Sequence, residues 1–191
     1  FFKSEQKDLI RGIAIAAAGA VFILSLFVFL NYNNQVSAVV ANQEALIEAG
    51  GTSVGTQMFK ETLAFEENVS WISSLGINYH LAVDGLSAPM VLLTGMVAVA
   101  GVLVSWRIED RTREFMAFFL LLVAGVYGVF VAVDLFVLFF FYELAIFPMY
   151  LLIATWGWAQ LREYAAMKLT LYILVGSVVA LVGVIAMVIT A

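Results

Sequence analysis

The sequence predicts an all-α integral membrane protein that crosses the bilayer five times. Three observations carry that expectation. The composition is 64% hydrophobic and 12% charged, with a mean hydropathy of +1.04, where soluble domains are roughly half apolar and a quarter charged. Charges are absent from five long runs, residues 12–30, 85–106, 115–133, 135–156 and 169–191, apart from Glu143 in the fourth. Each run matches the ~20 apolar residues that cover a ~30 Å hydrocarbon core. In lipid the backbone must satisfy its own hydrogen bonds, so these runs are helices rather than open strands. The remaining charges cannot cover a water-facing surface, which excludes an ordinary soluble enzyme or a disordered segment. A net charge of −5 removes the basic footprint of a nucleic-acid binder. With no cysteine and one histidine, the chain alone offers no disulfide, Fe–S cluster or histidine-cluster metal site.

The run at 12–30 exceeds the ~7–15 residues of a signal-peptide core. It is followed by Asn31, Tyr32, Asn33 and Asn34 rather than by a small-residue cleavage site, so it reads as a retained span after a short flank at 1–11. Residues 31–84 form an extracytoplasmic acidic loop. In it Val36, Val39, Val40, Leu46 and Ile47 fall near helical spacing before Gly50–Gly51, which predicts a short helix on the membrane surface. Residues 50–55 read as a flexible Gly/Ser/Thr stretch, and 77–84 as a short strand. Trp71 and Tyr79 suit the interfacial belt. Ser87 is placed to cap the second span, with Pro89 tolerated in its first turn. A loop at 107–114 leads to the third span. The run from 115 to 156 is too long for one crossing, and Asp134 is the natural turn, its carboxylate capping the returning helix. A loop at 157–168 leads to the last span. The pairs Gly125/Gly128 and Gly95/Gly101 read as aids to close helix packing. Asn68-Val69-Ser70 matches a glycosylation sequon, a pattern short enough to occur by chance. The chain starts at Phe1 and ends within an apolar run, as expected of a piece of a longer polypeptide.

Basic residues set sidedness. Lys3, Lys7 and Arg11 precede the first span; Lys60 alone lies in 31–84; Arg107, Arg111 and Arg113 lie in 107–114; none lies at Asp134; Arg162 and Lys168 lie in 157–168. The alternation places 1–11, 107–114 and 157–168 on the cytoplasmic side and 31–84 and Asp134 on the other. Glu44, Glu48, Glu61, Glu66, Glu67 and Asp84 oppose only Lys60 in the long loop, which therefore holds the whole net charge. A solvated exterior surface is the reading preferred to a cation-collecting antechamber.

Glu143 is the sharpest chemical feature. It lies nine positions into its span, roughly 13 Å from the helix start. A carboxylate at that depth costs at least ~2.5 kcal/mol on insertion scales. It either stays protonated or meets a cation, and no Lys or Arg stands inside the five apolar runs. A switchable charge is what a proton relay requires; the competing reading is a protonated acid that bridges helices. Pro148, five residues on, frees the Leu144 carbonyl and kinks the helix. Lys168 reads as a snorkelling interfacial cation or as a proton-uptake group. Tyr142, Tyr150, Thr155 and Tyr172 are candidates to hydrate a path, and His80, Asp84 and Asp134 are candidate supporting groups on the outer side.

Three strings narrow the function: HLAVDGLS at 80–87, DLFVLFFFYELAIFPMYLLI at 134–153, and WG at 156–157 leading to YAAMKLTLY at 164–172. In this order they resemble the antiporter-like membrane subunits, subunit M or chain 4, of proton-pumping NADH:quinone oxidoreductase (respiratory complex I). The resemblance covers residues 70–180 well and 1–30 loosely; 31–69 carry no family pattern. It implies a larger antiporter-like helical bundle with inverted repeats and broken helices, of which this chain is the second to sixth helix. It implies that Glu143 is the key acid, working with a lysine on a broken helix beyond residue 191. Tyr142 stands where relatives often have Trp, and Phe147 where a short aliphatic is common; neither disturbs Glu143 or Pro148.

The expected function is proton translocation coupled to electron transfer in other subunits, a translocase role without redox chemistry in this chain. NADH, FMN, Fe–S clusters and quinone are expected in partner subunits, and no cofactor or metal here. Expected partners are neighbouring antiporter-like subunits and lipid. The bacterial plasma membrane is the expected location, with mitochondrial inner or thylakoid membranes as alternatives. A Mrp-type cation/proton antiporter subunit and a non-pumping scaffold fragment stay open as alternative functions.

Overall fold

The computed structural model describes residues 7–48, 63–72 and 77–190, with side chains to residue 41 in the first helix and to 186 in the last. Five helices in it are long and apolar enough to cross a membrane, and the protein is a multi-pass membrane protein. The predicted flexible stretch at 50–55 lies outside the described residues.

Helix α1 spans Lys7–Glu48, 42 residues and about 63 Å at ~1.5 Å per residue, twice a hydrocarbon core. The expected surface helix over 36–47 is therefore its continuation, not a separate element. No glycine or proline interrupts residues 20–48. The polar run that suggested a break bonds back to its own helix: Asn31 Nδ2 donates to the Phe27 carbonyl and Ser37 Oγ to that of Asn33.

The membrane part is all-α as expected, and one small sheet lies outside it. Strands β1 (Ala64–Ile72) and β2 (Ile77–Val83) form an antiparallel hairpin, with Asn68 opposite His80 and Val69 opposite Tyr79. The strand at 77–83 was legible; its partner was not, because Glu66, Glu67, Asn68 and Ser70 leave no apolar alternation to read. The sequon lies on β1. Backbone pairing and docking hold the hairpin: Leu81 bridges Ala132, and Val133 N–H donates to the His80 carbonyl at 3.0 Å.

Helix α2 (Ser87–Val104) follows, extended by one 3-10 turn over Ser105–Arg107. Its start is built by reciprocity. Asp84 Oδ1 accepts from the N–H groups of Leu86 and Ser87 at 3.0 and 2.6 Å, while Asp84 N–H donates to Ser87 Oγ at 2.7 Å. Asp84 is the cap and Ser87 answers it, a capping-box pattern that corrects the reading of Ser87 as the cap. Helix α3 (Thr112–Val131) then crosses back. Asp134 ends the turn and caps α4 (Leu135–Trp156), accepting from Phe136 and Val137 N–H at 2.7 and 3.3 Å. Asp134→Ala is expected to lower stability by about 1 kcal/mol and Asp134→Asn by much less, read as thermal midpoints of the solubilised protein. Helix α5 spans Arg162–Thr190, so it starts well before 169. Leu161 and Arg162 already donate to the Trp158 carbonyl, which nucleates the helix ahead of the apolar run.

Cross-chain bonds sort the turns into two ends. At the basic end Arg11 Nη2 reaches the Ile108 carbonyl, and Trp156 Nε1 donates to that of Asp110 at 2.8 Å. At the other end the hairpin meets the α3–α4 turn, and Tyr32, Ala64, Val83 and Ala88 bury together. A second core joins Ala14 and Ala18 of α1 to Ala98 and Val102 of α2 and Met116 of α3. Glycines set the helix spacing. A Cβ on Gly125 would lie 2.9 Å from the Ala145 Cβ, and one on Gly128 would run into the Phe141 ring.

Candidate functional site

The α3–α4 contact fixes where Glu143 points. Phe141 and Ala145, two residues either side of it, pack on Gly128 and Gly125. At about 100° per residue, Glu143 lies on the opposite face of α4, in a stripe with Phe136, Phe140, Phe147 and Tyr150. Much of this stripe is open, with Phe147 59% and Phe140 44% exposed. At its hairpin end Trp71 of β1 sets its ring edge-on against Phe136 and Phe140, each at 6.0 Å. Glu143 itself is half-buried. Its Oε1 is sealed from solvent and accepts no hydrogen bond from any described residue. A shielded carboxylate oxygen with no donor is open to a hydrogen-bond donor or a cation brought by another part of the assembly.

Pro148 is fully buried one turn further on, inside α4. Its ring leaves the Leu144 carbonyl without the usual amide partner, beside the acid. Tyr142 turns about 100° away from Glu143 and lines a cavity of about 230 Å³ between α3, α4 and α5, with Leu122, Val126 and Ile173. That cavity is hydrocarbon-lined, so it suits packing or an apolar guest better than a water chain.

Lys168 falls seven residues into α5 rather than at its start. Arg162 and Lys168 both belong to the fifth membrane-length helix, ahead of its uncharged run from residue 169. The Lys168 ammonium lies over the Tyr164 ring at 5.6 Å. Measured along the helix axes from the basic end, it sits about 10 Å short of the depth of Glu143. Among the described residues no ion pair joins it to Glu143.

The outer candidates hold local structure. His80 Nε2 pairs with Glu66 Oε1 at 2.8 Å across the hairpin. Asp84 and Asp134 are engaged as caps, and Asp84 also borders a cavity of about 190 Å³ with Ser87, Phe130 and Val133. Tyr150 shares the Glu143 stripe; Tyr172 is exposed on α5 and Thr155 lends its carbonyl to Arg162. One polar pair escaped the sequence reading. Ser25 of α1 donates to the Val21 carbonyl and Tyr127 of α3 bonds Ser25 Oγ at 2.7 Å, over Gly95 of α2. Only Gly95, already singled out for packing, marked that the three helices meet there.

Residues 132–191, from the hairpin-docked turn through α4 and α5, match the family model described as NADH:quinone oxidoreductase/Mrp antiporter, TM. The chain is 39% identical over 189 residues to "NADH-quinone oxidoreductase subunit M" of Pseudomonas aeruginosa, covering 96% of this chain and 34% of that protein. It is 45% identical over 121 residues to "NAD(P)H-quinone oxidoreductase chain 4 3" of Picosynechococcus sp., covering 63% and 22%. The chain thus spans about a third or less of the curated relatives it matches. The resemblance to subunit M and chain 4 read from the three strings is borne out. The fold resembles a chain of the membrane-bound sulfane sulfur reductase, an archaeal respiratory membrane complex, with a TM-score of 0.51 and 20% identity over 94% of this chain and 36% of that one.

Proposed function

We propose that these five helices are part of the membrane arm of a proton-translocating NADH:quinone oxidoreductase, and that Glu143 is the acid whose charge switches during transport. The observation that carries the reading is the placement of Glu143: deep in α4, one turn before a buried Pro148, with a sealed carboxylate oxygen that no described residue serves. An acid placed at such depth is the kind of group that marks a proton path, and a cation brought alongside would act directly on its charge. Its face of α4 is turned from α3, so that cation would come from outside these helices. In this proposal electrons move through partner subunits that hold NADH, FMN, Fe–S clusters and quinone; this chain has no cysteine to contribute. The partners are neighbouring antiporter-like subunits and lipid, and the location is a bacterial plasma membrane.

The matched family also carries the Mrp antiporter description, which favours one second reading, a cation/proton antiporter subunit. Purification of the full-length chain through an affinity tag separates them. Co-purification with NADH-oxidising, quinone-reducing activity is the expected result. Recovery with membrane subunits alone, together with sodium efflux driven by a proton gradient, would establish the antiporter instead.

Lys168→Ala is expected to lower proton translocation modestly, because the lysine is exposed and its ammonium is held by one aromatic ring. Complete loss of pumping in a normally assembled Lys168→Ala protein would make the lysine a member of the path.

A further inference from the structure

We propose that the groove between α1 and α3 at the basic end is a binding site for one anionic phospholipid. Its acyl chain would lie in the groove and its phosphate between Lys7 and Arg113. The groove encloses about 210 Å³. Its floor is Ala14 and Met116, each 2% exposed, and its walls include Ile10, Ala117 and Leu120. Small side chains make it: Ala14 on α1 and Ala117 on α3 leave a channel where larger residues would close the gap. From Arg113 to Leu120 it runs about 10 Å along α3. That much space would hold several waters at ~30 Å³ each, but a lining of carbon stays dry or takes hydrocarbon.

Charge selects the head group. Arg113 lines the groove itself. Lys7 stands three residues before Ile10 and seven before Ala14, which puts it on the same helix face, one turn above the hydrocarbon lining. Two of the acids described at this end are already paired, while Glu109 and Asp110 stand in the loop before α3 and Glu163 in the first turn of α5. Asp8 pairs with Arg11, Glu114 pairs with Arg111, and Arg11 is tied to the Ile108 carbonyl. Among the described residues neither Lys7 nor Arg113 enters an ion pair. Helix α3 also begins at this end, so its positive dipole end adds to the same field. A net-anionic head group fits two unneutralised cations; a zwitterionic one brings its own ammonium against them.

The test uses the full-length protein in its native membrane with two photoactivatable lipids, phosphatidylglycerol and phosphatidylcholine, carrying the same diazirine-labelled chain. Peptides containing Ile10–Ala14 and Met116–Leu120 are read by mass spectrometry. Labelling by phosphatidylglycerol is expected to exceed that by phosphatidylcholine about ten-fold or more, since each juxtamembrane cation adds roughly five-fold. Lys7→Gln/Arg113→Gln should bring the two lipids level, and Arg113→Lys should keep the preference. Equal labelling in the unaltered protein would reduce the groove to ordinary lipid-facing surface and overturn the proposal. Absence of labelling would mean that another helix fills it, with the same consequence. This comparison needs no variant, so poor folding of the double substitution would leave the answer intact.

Discussion

Glu143→Gln is expected to leave the full-length protein inserted and assembled while lowering coupled proton translocation roughly 10²-fold, the lower range for a positioned proton-transfer group. Glutamine keeps the shape and a carbonyl oxygen but cannot ionise. In a span that runs uncharged from Leu135 to Trp156 but for this residue, the substitution also removes an ionisable group whose insertion costs at least ~2.5 kcal/mol. Stability should therefore hold or rise as transport falls, an opposition that separates a proton carrier from a structural bridge. Proton uptake by proteoliposomes under substrate turnover measures the first quantity; the thermal midpoint of the detergent-solubilised complex measures the second. Glu143→Asp keeps the charge on an arm one carbon shorter and should fall between the two. Normal pumping by an assembled Glu143→Gln protein would remove the acid from the mechanism. A variant that fails to assemble, while Glu143→Asp assembles normally, would make the carboxyl a helix-bridging group, the reading first weighed against the relay.

Gly125→Leu should cost the protein its fold. A Cβ at Gly125 would already stand 2.9 Å from the Ala145 Cβ, 3.0 Å from its Cα and 3.1 Å from its N. Two of those atoms are backbone, so no rotamer change relieves the contact and α3 must separate from α4. Overpacking of well-packed cores costs about 1–3 kcal/mol, and a leucine here adds three further carbons to a site that rejects the first. The measurement is the yield of protease-resistant, membrane-inserted full-length protein. Gly19→Ala and Gly176→Ala serve as controls, since a Cβ at either meets nothing within 4 Å, and both should behave like the parent. The smaller change Gly125→Ala should be partly rescued by Ala145→Gly, which removes the opposing methyl. Parent-like yield from Gly125→Leu would show that the two helices do not approach at this point.

The two predictions mark different degrees of legibility. Glu143 stood out as soon as the apolar runs were drawn, because one ionisable group in a long uncharged segment needs no fold to be conspicuous. Asp134 was equally plain, since a chain that must reverse between two apolar runs needs a polar cap where it turns. Gly125 and Gly128 were legible only as small residues; that they receive Ala145 and Phe141 required the packed helices. Strand β1 was hidden because its polar residues gain their structure from β2 and from Trp71 docking on Phe136 and Phe140. The unbroken α1 was hidden because Asn31, Asn33 and Ser37 look like loop residues, while Asn31 and Ser37 in fact bond back to the carbonyls one turn earlier.

What the sequence by itself determined is the number of membrane-length helices and the one acid in the apolar run of the fourth. Transfer from water to lipid is set segment by segment, and a segment's composition needs no neighbour to be read. The tertiary structure alone decided which face each helix turns inward. It set Glu143 opposite the α3 contact, brought the hairpin onto the turn before Asp134, and opened the α1–α3 groove beneath Arg113. Those outcomes depend on how side-chain surfaces far apart in the chain fit together. Hydropathy is nearly uniform around these helices, so no periodic pattern could reveal them.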